Sequence, residues 1–151
     1  MEHLSKAVKT VRMKPDGTNF TAAAGATNIN SDVIDTAGYD GVRFKAAFGA
    51  IVSGAATSIK VQQGAASNLS DAADLAGTSI TVADTDDNKL VISDIIRPQE
   101  RYLRVATLRA TQNATVDYME AELYMARTEP VTQDATVATL EVFSSPAEGT
   151  A

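Results

Sequence analysis

The stretch Val42-Arg43-Phe44-Lys45-Ala46-Ala47-Phe48 decides the fold of this chain. Its first, third, fifth and seventh residues are apolar, and Arg43 and Lys45 stand between them. Successive side chains of a β-strand point to opposite faces of the sheet, so this spacing places the apolar set on one face and the two cations on the other. The stretch therefore predicts a strand with one buried face and one solvated face.

Similar patterns extend along the chain on both sides of this stretch. Val116 to Ala126 alternates most clearly. Its expected inward residues are Met119, Ala121, Leu123 and Met125, and its expected outward residues are Tyr118, Glu120, Glu122 and Tyr124. Further strands are predicted around Ile59–Val61, Ile80–Val82 and Tyr102–Thr111. Leu90–Ile96 is almost continuously apolar, which fits a central strand or an edge strand over the core, and Pro98 ends it.

We therefore predict an all-β fold, a single antiparallel β-sandwich of jelly-roll-like type, with residues 27–127 as its body. Residues 1–26 would form an N-terminal arm and first loop, and residues 128–151 a C-terminal extension. At most one short helix is expected, at Ser70–Ala76, where Ser70 would cap it and Gly77 would end it. The 17 threonines of the chain suit the solvated faces of such sheets.

Composition excludes several classes of protein. The 151 residues include no cysteine and one histidine, His3, so disulfides, thiolate catalysis and multi-histidine metal sites are not expected. A net charge of −6 disfavours nucleic acid as a partner, because nucleic-acid binding needs clustered Lys and Arg. No apolar run has the length of a signal peptide or a membrane span, so we expect no membrane partner and synthesis in the cytoplasm.

Two acidic groups are the candidates for chemistry. Asp84-Thr85-Asp86-Asp87-Asn88 resembles the start of a calcium loop. Lys89 replaces that loop's glycine and Ile95 its closing glutamate, so an acidic hairpin tip is favoured over weak cation binding. Glu120 and Glu122 lie about 7 Å apart on one strand face, a separation that glycoside hydrolysis can use, but a solvated face is favoured. We expect no enzymatic activity, no cofactor and no metal.

The two ends of the chain carry opposite charge. Residues 1–14 hold four cations against Glu2, whereas residues 128–151 hold four acids and no Lys or Arg. Within these ends, Ala7–Met13 and Val137–Phe143 have strand-like patterns. Each segment either adds a strand to the sheet edge of a neighbouring molecule or completes the protein's own sandwich. A chain without residues 1–14 is expected to fold.

Several side chains are candidates for contact with a partner. Arg97, Arg101, Arg104 and Arg109 cluster around one predicted strand pair, where they either pair with acids or contact another subunit. The outward row of Tyr and Glu is a second candidate, because tyrosine is enriched at protein interfaces. The predicted partner-contacting residues are Lys6, Lys9, Val11, Arg12, Met13, Arg97, Arg101, Tyr118, Glu120, Tyr124, Leu140, Val142 and Phe143.

Three stretches in order, Ser31–Gly49, Ile59–Gly64 and Glu100–Val105, followed by the final alternating strand, resemble small head proteins of tailed bacteriophages. The similar proteins include capsid decoration, or cement, proteins, and the resemblance spans roughly residues 27–127. It implies a β-sandwich subunit, often trimeric, that binds the outside of the expanded capsid and clamps neighbouring capsomers. It also implies structural roles for two sites. These are a turn at Asp35, Gly38 and Tyr39 into the first core strand, and a strand that opens at Arg101-Tyr102.

The expected function is therefore that of a non-enzymatic virion protein on the capsid exterior. Its expected partners are the major capsid protein and other copies of itself in a homotrimer. One alternative is a structural position in the tail, neck or baseplate of the same virion. A carbohydrate-binding module is disfavoured, because the chain has no Trp and four Tyr, whereas sugar platforms need exposed aromatic faces.

Overall fold

The computed structural model describes residues 3–150. One short helix and ten strands lie in this part of the chain. In chain order they are α1 Leu4–Ala7, β1 Lys9–Met13, β2 Ile29–Asn30, β3 Ile34–Asp35, β4 Tyr39–Ile51, β5 Ala56–Gly64, β6 Ala73–Asp74, β7 Ile80–Val82, β8 Leu90–Ile96, β9 Tyr102–Ala110 and β10 Ala114–Ala126.

The strands form two antiparallel sheets. Sheet 1 has the order β1-β10-β4-β8. In sheet 2, β9 and β5 are central, with β2 and β3 beside β9 and with β6 and β7 beside β5. The long strands alternate between the sheets along the chain, so most loops cross from one sheet to the other. The prediction of an all-β antiparallel sandwich is confirmed.

The core lies between the sheets and takes alternate residues from each strand. Phe44 and Phe48 of β4 are buried, as the opening stretch predicts, and join Val61 and Val105 of sheet 2 in one apolar cluster. The solvated face of the same strand carries Arg43, Lys45 and Ala47, which are partly exposed. Periodicity of two therefore determines which residues are buried in this strand.

β10 follows the predicted alternation with one exception. Met119, Ala121 and Leu123 are buried as predicted. Met125 was expected inward, but its side chain is 48% exposed. Its φ of +53° departs from extended backbone near the end of the strand, so the alternation does not continue to this residue. The prediction for Met125 is therefore wrong.

The predicted helix at Ser70–Ala76 is also wrong, because this segment forms turns and β6. The carboxylate of Asp71 accepts hydrogen bonds from the backbone N–H groups of Ala65 and Ala66, which precede it, rather than from a following helical turn. Leu69 has a φ of +52° and is buried. Local hydrogen bonds of an aspartate thus compete with the helix.

The turn that the resemblance implies before the first core strand is present. The Tyr39 N–H donates to the carbonyl of Thr36 at 3.0 Å, and the Ala37 N–H donates to Asp35 Oδ1 at 3.0 Å. Tyr39 is the first residue of β4. Tyr102 likewise opens β9, directly after the turn that contains Pro98.

Residues 9–13, expected within an N-terminal arm, are an integral strand of sheet 1. β1 pairs with β10 over its whole length, which points Val11 and Met13 toward the core. Met13 is 1% exposed, so its predicted role as a partner contact is wrong. Removing residues 1–14 would remove this buried side chain, and we therefore no longer expect such a chain to keep its stability.

The C-terminal extension begins along β1 and then leaves it. Residues 133–136 bond to β1 through side chains. Val137–Phe143, whose pattern predicts a strand, is not part of any strand in the described chain. No helix among residues 3–150 is long and apolar enough to cross a membrane.

Candidate interaction surfaces

The outer face of sheet 1 carries a row of charges that alternate in sign from strand to strand. The register places Arg12 of β1 opposite Glu120 of β10, and Glu120 opposite Lys45 of β4. In the next row Glu122 of β10 lies opposite Arg43 of β4. Opposite charges on directly facing strand positions attract, so the pairing of the strands assembles this face.

Lys45 is the centre of the charged face. Its Nζ lies 2.7 Å from Glu122 Oε1 and 3.0 Å from Glu120 Oε1, with all three side chains about one-fifth exposed. The hydrogen bond to Glu122 and the attraction of both carboxylates raise the pKa of Lys45 above its usual value. Both carboxylates are thereby bound to one ammonium group, which leaves neither of them placed as a free acid or base.

Two tyrosines extend this face along β10. The Tyr118 hydroxyl donates to Glu120 Oε2 at 2.8 Å, and the Tyr124 hydroxyl donates to Asp94 of β8. Partial burial and the carboxylate that each hydroxyl meets raise the pKa of both phenols to about 12. The rings lie within a hydrogen-bonded face, unlike the free platforms that stack on sugars.

Gly41 makes room for the Tyr124 ring. It stands directly opposite Tyr124 in the register of β4 and β10, and a Cβ atom at position 41 would lie 2.4 Å from Cζ of that ring. The ring therefore crosses β4 at an outer position without a side chain and reaches Asp94 on β8. A glycine in mid-strand here marks a close approach.

Arg12 joins the N-terminal strand to the same face. Its guanidinium carbon lies 5.1 Å from the centre of the Phe20 ring and 5.9 Å from that of Tyr118, and it donates to the Phe20 carbonyl at 3.2 Å. These cation–π contacts hold the loop after β1 against the sheet. Three predicted contact residues, Arg12, Tyr118 and Glu120, are thus brought together, with Tyr124 further along β10.

The β1 edge of sheet 1 is closed by side chains. The outward N–H of Thr10 donates to Gln133 Oε1 at 2.9 Å, and that of Arg12 donates to Thr136 Oγ1 at 2.9 Å. The N–H of Lys14 donates to Asp32 Oδ1 at 2.9 Å. Lys9 adds an ion pair with Asp134, and the carbonyl of Lys6 accepts from the Val131 N–H. An incoming strand has no free donor to meet here.

The β8 edge of sheet 1 is open. The bonds from the Arg97 N–H to the Asp40 carbonyl and from the Phe48 N–H to the Lys89 carbonyl show which residues of β8 face β4. Because the direction alternates along an antiparallel strand, the backbone groups of residues 90, 92, 94 and 96 point away from the sheet. In the described chain no other strand pairs with β8.

Apolar side chains accompany these free backbone groups. Leu90, Ile92 and Ile96 lie on the outer face of β8 and are 61%, 49% and 63% exposed. The nearly continuous apolar pattern of Leu90–Ile96 fits either a central or an edge strand, and the structure places this strand at the edge of sheet 1. A half-solvated edge strand normally carries polar residues on its outer face. The apolar residues at these outer positions were therefore a signal in the sequence that this edge contacts a partner, and sequence analysis missed it.

The C-terminal segment presents the other apolar surface. Leu140, Val142 and Phe143 are 50%, 56% and 73% exposed. They line an open groove of about 540 Å³ against α1 and the start of β1, where Leu4 and Val8 complete the apolar wall. The segment rests beside the helix without filling the groove, so all three predicted contact residues of this segment are accessible.

The four arginines do not form one cluster, because β8 and β9 belong to different sheets. Arg97 is exposed at the end of β8. Arg101 makes a bidentate pair with Asp35 at 2.8 Å for both bonds, which lowers the pKa of that carboxyl. Arg104 donates to Gln62.

Arg109 differs from the other three arginines because its side chain is buried. It donates hydrogen bonds to three backbone carbonyls. Burial lowers the pKa of its guanidinium group.

The acidic loop 84–88 connects β7 of sheet 2 to β8 of sheet 1, so the prediction of a hairpin tip is wrong. Asp84 accepts from the Gly54 N–H, and Asp86 accepts from the Ala83 N–H and from Lys89. These carboxylates are occupied in holding the crossing loop. Across residues 3–150 the structure groups no three His, Asp or Glu side chains that would hold a metal ion.

Comparison of the chain with protein-family models, with curated proteins and with solved structures gave no match.

Proposed function

We propose that this chain is a non-enzymatic structural protein of a tailed-phage virion, which binds the outside of the capsid lattice and stabilises it as a homotrimeric decoration protein. The observation that carries the proposal is the pairing of a compact sandwich with exposed adhesive segments. The charged and phenolic side chains on the outer face of sheet 1 are bonded to one another, whereas Leu140, Val142 and Phe143 are exposed to solvent. Exposed apolar groups on one segment are typical of an interaction site.

The order of the strands supports a role in a viral particle. The first strand pairs with the last, β2 and β3 pair with β9, β4 pairs with β8, and β5 pairs with β6 and β7. This nested pairing supports the jelly-roll type of sandwich that the sequence predicts, a type that occurs in viral capsid domains and in lectins. The bonded tyrosines of sheet 1 favour the former, because a sugar platform needs free aromatic faces.

Multivalency supplies the strength of attachment in this proposal. A trimer that offers three copies of one capsid-binding surface to a repeating lattice binds more tightly than one copy, because each later contact is intramolecular. Binding to the assembled shell in preference to free capsid protein then stabilises the shell by linkage.

The test is co-sedimentation with expanded, tail-less, DNA-free heads of the virus that carries this chain. We expect saturable binding to heads, and weaker binding by a full-length variant in which Leu140, Val142 and Phe143 are replaced by serine. Val52→Ser is the matched control, because Val52 is an exposed apolar residue in a loop outside this segment, 45% exposed. Binding to tails or baseplates but not to heads would favour the alternative position in the virion, and binding to neither would overturn the proposal.

A further inference from the structure

We propose that the open β8 edge receives residues 137–143 of a second copy of this chain as an added strand. The inference deepens the proposed function and rests on its homotrimer, because it names the two surfaces that meet between subunits. Both surfaces are incomplete in one copy, since β8 has outward backbone groups without a strand and the segment has a strand-like pattern without a sheet.

The backbone of β8 offers a matched row of donors and acceptors. Residues 90, 92, 94 and 96 each present one N–H and one C=O to an incoming strand. Their side chains form an apolar strip that is interrupted only by Asp94, which already accepts the Tyr124 hydroxyl. Strand addition to such an edge is a common mode of recognition, with main-chain bonds for affinity and side chains for specificity.

The segment has the composition of the missing strand. In Val137-Ala138-Thr139-Leu140-Glu141-Val142-Phe143 four of seven residues are Val, Leu or Phe, and Glu141 carries the only charge. Like charges on directly opposed positions destabilise a strand pair, so registers that place Glu141 opposite Asp94 are disfavoured. Registers that place Phe143 or Val137 beside Leu90 or Ile96 remain available.

The position of the segment favours a neighbour over its own β8. Gln133 and Thr136 hold the chain at the β1 edge, three strand spacings or about 14 Å from β8 across sheet 1. Residues 137–143 then line the groove beside Leu4, Val8 and Thr10, so the segment stays on the β1 side of the sheet while the open edge lies on the other. Such a head-to-tail contact joins two different surfaces, and three copies close it into a ring.

The exposed area fits this arrangement. The chain exposes 8675 Å², about 1,400 Å² more than the roughly 7,300 Å² expected for a compact monomer of 15.8 kDa. In a ring each copy contributes to two contacts, and a standard interface buries about 800 Å² on each partner. The excess surface of one copy is thus of the size that two such contacts bury.

Disulfide trapping in the absence of capsids tests the pairing, and the natural lack of cysteine makes the chain suited to it. Full-length I92C is mixed with T139C, L140C, E141C or V142C and oxidised gently. Directly opposed residues of adjacent strands have Cβ atoms about 5 Å apart, near the disulfide range; same-face residues two positions further along lie about 7–8 Å away and cross-link more weakly, and the residue between them, on the opposite face, cross-links least. We expect cross-linked heterodimers at alternate positions of the segment and little cross-linking of I92C with itself.

A mass measurement by light scattering provides the second readout. Ile92→Pro removes an outward N–H that has no partner among residues 3–150, so sheet 1 keeps its own bonds while the docking donor is lost. We expect the concentration at which half of the protein is assembled to rise by about tenfold or more, and Ile92→Val, which keeps the N–H, to change it little. Circular dichroism shows whether Ile92→Pro folds. If it does not fold, the cross-linking experiment alone tests the pairing of β8 with residues 137–143.

The outcomes separate this inference from the proposed function. Dominant self-cross-linking of I92C would indicate β8 pairing with β8 in a dimer and would overturn the inference, as would cross-linking without alternation or none at all. Co-sedimentation with heads is independent of these results. Binding to heads without alternating cross-links would support the proposed function and overturn the inference. Alternating cross-links without binding to heads would support the inference and overturn the proposed function.

Discussion

The two edges of sheet 1 differ in how their outward backbone groups are satisfied. At β1 the N–H groups of Thr10 and Arg12 donate to side chains of Gln133 and Thr136, which come from a distant part of the chain. At β8 no strand of the described chain lies beside the corresponding groups, and Ile92 is exposed. One edge is thus closed by the protein itself and the other is left for a partner, which makes the open edge the informative one for function.

The largest expected effect compares one residue from each edge. Met13→Ala in β1 removes a side chain that is 1% exposed, and we expect it to lower the free energy of unfolding by about 2–5 kcal/mol. Ile92→Ala in β8 should change it by about 0.5 kcal/mol or less in dilute monomer, because the side chain is largely solvated. Urea unfolding measures both, and equal losses would contradict the comparison.

A smaller effect is expected at the glycine that supports the open edge. Gly41→Ala would force the Tyr124 ring away from β4 and from its bond to Asp94. We expect a loss of about 1–3 kcal/mol, as for other overpacked sites, in the same unfolding assay. Gly149→Ala is the control, because no atom lies within 4 Å of an added Cβ there. A neutral Gly41→Ala would show that the ring moves freely.

The closed edge can be opened by one substitution. Gln133→Ala removes the acceptor for the Thr10 N–H and the donor to the Val8 carbonyl. We expect a loss of about 1–2 kcal/mol, whereas Gln99→Ala, on an exposed loop, should have little effect. Amide hydrogen exchange gives a local readout. In the monomer the Thr10 amide should exchange slowly and the Ile92 amide rapidly, and Gln133→Ala should make Thr10 resemble Ile92.

The smallest effect concerns alkaline pH. The folded state raises the pKa of Tyr124 from 10.0 to about 12, so it holds this proton more tightly than the unfolded chain does. The free energy of unfolding should therefore fall as pH rises from 10 through 12. Tyr124→Phe should remove the contribution of Tyr124 to this pH dependence, and the contribution of Tyr118 should remain. Unfolding midpoints at several alkaline pH values measure the difference, and identical slopes would contradict it.

Much of the outer face of sheet 1 was predictable. The alternation in Val42–Phe48 and in Val116–Ala126 assigns Lys45, Tyr118 and Glu120 to a solvated face without knowledge of the fold. It does not assign Lys45 to Glu120 and Glu122, because strand register depends on which strands meet. The sequence thus predicts that each of these residues lies on the outer face, but it does not predict which of them form ion pairs with one another.

The failures share one cause. Met13 follows a strand-like pattern in a basic N-terminal segment, which reads equally well as an arm or as an edge strand. Ser70–Ala76 contains helix-capping residues, but Asp71 bonds to the preceding loop instead. In both segments the local sequence pattern is compatible with two structures: an arm or an edge strand in the first, and a helix or a turn in the second. Contacts with other parts of the chain determine which of the two forms.

The sequence by itself determined the all-β class and the buried and solvated faces of the long strands, because strand periodicity is a local property. Only the tertiary structure decided that β1 is closed and β8 open and that the four arginines lie apart. It also decided that the strand-like segment Val137–Phe143 joins no strand in the part of the chain that the structure describes. These depend on which elements become neighbours, and neighbours far apart in the chain are determined by the packing of the two sheets around one core.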